Sequence, residues 1–231
     1  MINIFRKLRW FVEKTKIKLR KKTLGLCEEG VEIYSDSTFI YPKRIFIHKF
    51  TLIMPKCILM ASGGNIIVGK YCSISLNFTV VTSNHKPTVG IPVNFNNSLH
   101  INEEIKGDVI IEDDVWIGIG VTLLAGAKIG RGAIVGANSM INKEIPPYAV
   151  VVGSPAKIIA VKFSKQQILE HETAIYPESE RLTSDYLDIL FNKYYEGAKN
   201  YGVDNISKND KLRLADYYKK RGISFNNTNS L

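Results

Sequence analysis

The sequence predicts a mainly β protein built as a parallel β-helix, and three observations predict it. Ile111, Ile117, Leu123, Ile129, Val135 and Ile141 stand six residues apart. Four residues after each, Val115, Val121, Ala127, Ala133, Ser139 and Ile145 repeat the step, and Gly118, Gly130 and Gly136 follow three of the aliphatics. A helix face would recur about every 3.6 residues and a half-buried strand about every two, so a six-residue unit with one bulky and one small inward position describes a short strand plus a corner. Three units make one triangular turn, which returns the chain to its starting edge after about eighteen residues. The aliphatic fills the prism and the small residue lets the corner close. Glycine after it answers a dihedral or a close approach that a side chain forbids. Such a solenoid buries an apolar column that no single repeat buries alone.

With 231 residues, 45% of them hydrophobic, the chain can bury one solenoid core with small appendages. Residues 1–30 form a basic lead-in, 31–162 the β-helix with a loop excursion over 86–107, and 163–231 a helical extension with a polar tail. In residues 2–22 the apolar Ile2, Ile4, Phe5, Leu8, Trp10, Phe11, Val12, Ile17 and Leu19 alternate with cations, which predicts an amphipathic helix with a basic face. It packs on the first coils or a neighbouring subunit, or it lies against an anionic membrane surface; both readings stand at this point.

From Val31 to Ser62 short apolar runs mark the opening coils, with Ile47, Ile53 and Leu59 six apart and Thr51 and Cys57 at small positions. Ser62-Gly63-Gly64-Asn65 is a turn that interrupts the rhythm, which resumes at Val68, Ile74 and Val80. Thr82-Ser83-Asn84-His85-Lys86-Pro87 then leaves the repeat, and the phase returns at Asp108-Val109-Ile110-Ile111. An excursion of about twenty residues inside a compact domain is usually functional. After Lys157 the repeat ends. Ser164 with Gln167 reads as a capping box that opens a helix through His171; Pro177 stops it. A second helical stretch is expected over 178–199 and a third over 211–221, closing the strand edges at the end of the solenoid.

Net charge is +9, but residues 1–22 hold nine Lys/Arg against Glu13, which leaves +1 for everything else. That distribution argues against a nucleic-acid-binding body. No apolar run reaches the ~18–20 residues of a membrane span, and the basic N-terminus lacks the apolar segment and cleavage site of a secretory signal. The expected location is cytoplasmic, with peripheral contact at the inner face of the membrane through residues 2–22. Cys27, Cys57 and Cys72 are an odd number without metal spacing, and Cys57 and Cys72 read as core. Glu112-Asp113-Asp114 reads as a solvated corner, and no metal is expected.

The run Val115-Trp116-Ile117-Gly118, then Ala125-Gly126-Ala127-Lys128-Ile129-Gly130, Ile134-Val135-Gly136-Ala137-Asn138-Ser139, Ile145-Pro146-Pro147-Tyr148 and Val152-Gly153-Ser154-Pro155-Ala156-Lys157 resembles the end of the left-handed β-helix O-acetyltransferases. Nearest within that group are the galactoside/maltose and xenobiotic acetyltransferases and the sugar acetyltransferases of surface-polysaccharide clusters. The resemblance covers roughly residues 31–165. It implies a left-handed β-helix, acetyl-CoA as co-substrate, and a homotrimer with active sites between subunits, the loop projecting over the neighbour. The acceptor it implies is a saccharide of capsule, O-antigen or exopolysaccharide. An amino-sugar nitrogen or an antibiotic hydroxyl are the alternatives, and a non-enzymatic scaffold or a zinc-bearing β-helical carbonic anhydrase are remote ones.

On the matched positions, His85 takes the place of the catalytic histidine, a base suited to removing a hydroxyl proton near neutral pH. Its orienting partner is open among Asn84, Glu103, Glu104 and a backbone carbonyl. Gly118, Ile119, Ala137 and Asn138 match the pantetheine-binding positions, and the Ile119 amide is the candidate oxyanion donor. Asn142 and Lys143 match the nucleotide contacts and Lys157 the 3′-phosphate contact, although a second basic residue expected beside it is Ala160. Asn84, Trp116 and His100 are acceptor-side candidates.

Overall fold

Short strands separated by corners are what the six-residue rhythm demands, and the chain folds as a left-handed parallel β-helix. The computed structural model describes Thr15 and residues 17–99, 101, 105–203 and 206–223. The chain divides into two compact units, Met1–Lys157 and Ile158–Leu231.

In the first unit three parallel sheets form the faces of the prism. One runs through Leu26–Cys27, Ile45–Ile47, Ile66–Val68, Val109–Ile111, Lys128–Ile129 and Glu144–Ile145. The second stacks Glu32–Ile33, Leu52–Ile53, Ser73–Ile74, Trp116–Ile117, Ile134–Val135 and Ala149–Gly153, and the third Thr38–Ile40, Ile58–Met60, Thr79–Val81, Thr122–Leu123 and Met140–Ile141. Ile110 lies opposite Lys128, Trp116 opposite Ile134 and Thr122 opposite Met140, so one turn takes the expected eighteen residues there. The earlier coils are longer: Phe46 lies opposite Ile67 and Leu52 opposite Ser73, twenty-one residues on. The surplus of three sits in the turn Ser62-Gly63-Gly64-Asn65, because Leu59 and Val68 stand nine apart where the other steps of these coils are six.

The aliphatics at the bulky position, Ile111 to Ile141, are all buried, as are their small partners from Val115 to Ile145. The column continues upward through Ile45, Ile47, Ile53, Leu59, Ile66, Val68, Ile74 and Val80. Polar groups in the column are bonded: Thr51 Oγ1 donates to the Gly69 carbonyl at 2.7 Å and accepts the Cys72 amide at 3.1 Å. Cys72 itself is enclosed, and burial pushes its thiol up to about 12, so it holds no thiolate near neutral pH.

The basic N-terminal helix expected over 2–22 lies mostly outside the described residues; residues 17–23 are helical. There Arg20 donates to the Ser37 carbonyl at 3.0 Å and Lys21 to the Val31 carbonyl, and Leu24 is buried, so this end of the segment is tied to the first coils. No described helix is long and apolar enough to cross a membrane.

Strand Ala156–Val161 ends in the second unit, where Ala160 and Val161 pair in parallel with Lys199 and Asn200. Helix Lys165–Ile175 opens with the expected capping box: Ser164 Oγ accepts the Gln167 amide at 3.3 Å and Gln167 Oε1 accepts the Ser164 amide at 2.8 Å. Ser164→Ala is expected to cost about 1 kcal/mol, read as a lowered unfolding midpoint of this unit. The single helix expected over 178–199 is instead a 3-10 turn Glu178–Glu180, an α-helix Ser184–Leu190 and a π-helical turn Phe191–Tyr195. The break has a cause in the preceding helix: the buried Glu172 carboxylate takes the Leu182 amide at 3.0 Å, and Thr183 caps a new start by accepting the Tyr186 amide at 3.2 Å. The last helix runs Lys208–Arg221, three residues longer at its start than expected because Ser207 caps it.

Candidate functional site

His85 stands where the chain leaves the prism. Ser83–Asn84 pairs antiparallel with Ile105–Lys106, Ser83 opposite Lys106 and Asn84 opposite Ile105, so the outgoing and returning arms of the excursion zip into a two-stranded neck. The sequence shows the excursion but not this ribbon, whose arms are about twenty residues apart and carry no shared period. The neck is braced from the preceding coil by the turn that breaks the rhythm. Thr82 Oγ1 accepts the amides of Gly63 and Gly64, both at 3.0 Å, and Ser62 Oγ meets Ser83 Oγ at 2.6 Å. Asp108 Oδ1 accepts the Asn65 amide at 2.7 Å. Gly64 is required there: a Cβ would lie 2.7 Å from the Gly107 carbonyl carbon and 2.9 Å from the Asp108 nitrogen.

His85 is partly exposed, and its main-chain amide donates to Asn84 Oδ1 at 2.9 Å. That carbonyl oxygen of Asn84 thus serves the backbone of His85. Beyond the neck the described residues of the loop include a short helix, Val93–Ser98. Its Asn96 is buried, 1% exposed, and bonded to Lys86 and Thr88. Nothing in the string Val93-Asn94-Phe95-Asn96-Asn97 distinguishes this asparagine from its neighbours, so sequence reasoning passed over it. Around it Val89, Val93, Phe95 and Leu99 present large apolar side chains to solvent. His100, Glu103 and Glu104 lie outside the described residues.

Four of the seven donor-side candidates come together on one edge of the prism. Gly118 and Ile119 lie at the corner after Trp116–Ile117, and Ala137 and Asn138 at the same corner one coil on, joined by the Asn138 amide donating to the Ile119 carbonyl at 2.8 Å. Asn138 adopts the left-handed conformation, φ 55°, and its side-chain oxygen lies where a Cβ on Gly120 would fall. Asparagine tolerates that dihedral better than most residues, so Asn138 shapes the corner as well as lining it. Ile119, Ala137 and Asn138 are exposed. Trp116 points outward from its sheet and is 54% exposed. Asn142 and Lys143 lie at another corner of the last full coil, between Met140–Ile141 and Glu144–Ile145, and Lys157 lies on strand Ala156–Val161; all three are exposed.

The acidic corner is structural. Glu112 Oε2 accepts the Arg131 amide at 2.9 Å, Asp113 Oδ1 the Lys70 amide at 2.7 Å, and Lys128 spans Glu112 and Glu144 at 3.2 and 3.5 Å. The Glu112 and Asp113 carboxylates also line a depression with His48 and Arg131, and their commitment to neighbouring coils makes it part of the scaffold. Among the described residues, no group of three or more His, Cys, Asp or Glu is arranged to hold a metal ion.

A family model described as bacterial transferase hexapeptide (six repeats) matches residues 108–143. The chain is 36% identical over 154 residues to a probable macrolide acetyltransferase of Lysinibacillus sphaericus, spanning 57% of this chain and 85% of that one. Among solved structures it is similar to a hexapeptide-repeat acetyltransferase of Vibrio cholerae O1 biovar eltor in complex with acetyl coenzyme A. The likeness there is TM-score 0.57 and 27% identity over 64% of this chain and 77% of that one. It is also similar to a maltose O-acetyltransferase of Clostridium difficile, with TM-score 0.55 and 25% identity over 64% and 75% of the two chains.

Proposed function

The chain belongs to the hexapeptide-repeat acetyltransferases, and from that premise we propose that it transfers the acetyl group of acetyl-CoA to a hydroxyl of a saccharide, with His85 as general base. The observation that carries the proposal is the neck: a partly exposed imidazole held at the root of a protruding loop where the chain leaves the third sheet, on a prism that exposes Ile119, Ala137 and Asn138 at the corner between the second and third sheets. In this reading His85 takes the hydroxyl proton as the oxygen attacks the thioester carbonyl. The Ile119 amide donates to the developing oxyanion, a contribution of about 3 kcal/mol in comparable sites. The carbon–sulfur bond breaks, the imidazolium returns the proton to sulfur, and an acetyl ester and free CoA leave. No acyl-enzyme forms, in keeping with a Cys72 thiol that burial keeps protonated.

The donor edge fits a long, narrow co-substrate. Ala137 offers no bulk and Ile119 and Asn138 are exposed, while Lys143 and Lys157, elsewhere on the chain, supply cations for phosphates. Lys157→Ala and Lys143→Ala are each expected to raise the KM for acetyl-CoA about 3- to 30-fold while leaving kcat within twofold, since they remove binding that ground and transition states share. Lys157→Ala should change the KM for acetyl-dephospho-CoA little if Lys157 meets the 3′-phosphate. The protein works in this account as a homotrimer on the cytoplasmic side, each site completed by a neighbour's coil. Its acceptor is a building block or polymer of capsule, O-antigen or exopolysaccharide.

A second reading has its own support. The exposed apolar set Val89, Val93, Phe95 and Leu99, and the similarity to a probable macrolide acetyltransferase, favour a bulky apolar antibiotic bearing a hydroxyl. Calorimetric titration with acetyl-CoA, followed by thiol-release assays with maltose, a galactoside, glucosamine and a macrolide, separates the readings. Ester formation on a sugar hydroxyl supports the first, transfer only to the macrolide supports the second, and transfer only to glucosamine moves the chemistry to nitrogen. No binding at millimolar acetyl-CoA would sink them all.

A further inference from the structure

We propose that Asn96 is the positioning residue for the base, fixing the main chain on the outer side of His85 through the Lys86 carbonyl. The proposal rests on the reading of His85 as general base.

On its inner side His85 is well anchored. The ribbon pairs Ser83 with Lys106 and Asn84 with Ile105, and Asn84 Oδ1 accepts the His85 amide at 2.9 Å. The ladder ends there. The next fixed point along the chain is the Lys86 carbonyl, which accepts a hydrogen bond from Asn96 Nδ2 at 2.9 Å. Because that carbonyl can only accept, the bond sets which end of the amide faces it. The other end, Oδ1, then takes the Thr88 hydroxyl at 2.6 Å. The main chain of Asn96 is held as well: its amide donates to the Pro92 carbonyl and its carbonyl accepts the Ile101 amide, both at 3.0 Å.

Asn96 is the one buried polar side chain among the described residues of the excursion. Every other described side chain of the loop is partly or fully exposed, so apolar packing within the loop does not account for its enclosure. A buried amide whose donor and acceptor both find partners is a device for holding two strands of chain in one arrangement. Here one of those strands begins at the residue after the base. With Asn84 on one side and Asn96 on the other, the chain is held at the peptide unit that precedes His85 and at the one that follows Lys86, which narrows the positions the imidazole reaches. General-base catalysis is sensitive to that: a misplacement of about 1 Å costs on the order of 10²-fold in rate.

The test uses the full-length protein with histidine labelled at Cε1 for NMR, the His85 resonance being identified by its loss in His85→Ala. Three variants are compared with wild type. Asn96→Ala removes both bonds. Asn96→Asp keeps the shape and the Thr88 bond but, ionised, has no proton for the Lys86 carbonyl. Thr88→Val removes only the hydroxyl. The expected result is a shifted and broadened His85 resonance in Asn96→Ala and Asn96→Asp, a smaller shift in Thr88→Val, and unmoved resonances for His48 and His171, which report that both units remain folded. A His85 resonance identical to wild type in Asn96→Ala, or wild-type in Asn96→Asp alone, overturns the proposal. Failure of the premise looks different: full turnover by His85→Ala in the thiol-release assay removes the catalytic meaning of the anchor whatever the spectrum shows.

Discussion

His85→Ala is expected to lower turnover about 10²- to 10⁴-fold while leaving the calorimetric Kd for acetyl-CoA unchanged. The magnitude is that of general-base catalysis, because the substitution removes the proton acceptor and leaves the donor edge at Gly118–Ile119 and Ala137–Asn138 intact. The melting temperature should stay near wild type, since His85 is partly exposed and sits at the neck rather than in the aliphatic column. Two outcomes count against the assignment. Undiminished turnover would place the base elsewhere, and loss of acetyl-CoA binding would make His85 a donor-side residue.

Gly118→Ala should be the most damaging single-methyl change in the donor edge. A Cβ on Gly118 would lie 2.7 Å from the Ala137 nitrogen, 2.9 Å from the Val135 carbonyl oxygen and 3.0 Å from the Gly136 carbonyl carbon. All three are main-chain atoms of the next coil, which cannot rotate away as a side chain would. The stacking of Trp116–Ile117 on Ile134–Val135, and the Gly118 amide bond to the Val135 carbonyl at 2.8 Å, must therefore open. The expected cost is on the order of 1–3 kcal/mol, a fall of about 2–4 °C in Tm for each kcal/mol in a unit of this size. The same displacement carries Ile119 and Asn138 away from each other, so the KM for acetyl-CoA should rise along with the instability. An Ala variant with wild-type Tm would show that the coils can part at this edge without loss.

The repeat was legible because a solenoid writes its structure locally. Each inward position faces the axis at a fixed phase, so Ile111, Ile117, Leu123 and their successors announce the core from spacing alone, and their burial follows. The capping box at Ser164 is equally local, spanning three residues. The helix expected over 178–199 failed for the opposite reason. Its interruption depends on Glu172, ten residues earlier in sequence than the amide it captures, and no periodicity carries that information.

The candidate site divides along the same line. Residue types, their order and the family resemblance marked His85, the corner residues and the twenty-residue excursion as the candidate site. The sequence by itself thus determined the β-helix, its core and the point at which the loop departs, because those follow from a period that each residue obeys independently of distant partners. Tertiary structure alone decided how the loop is held: the ribbon of Ser83–Asn84 with Ile105–Lys106, the brace from Ser62 to Asn65, and Asn96 beneath Lys86. Those contacts join residues from ten to over forty positions apart through single hydrogen bonds. A hydrogen bond requires only that a donor and an acceptor meet, so almost any polar residue could have supplied it, and the composition of the loop leaves no trace of which one does.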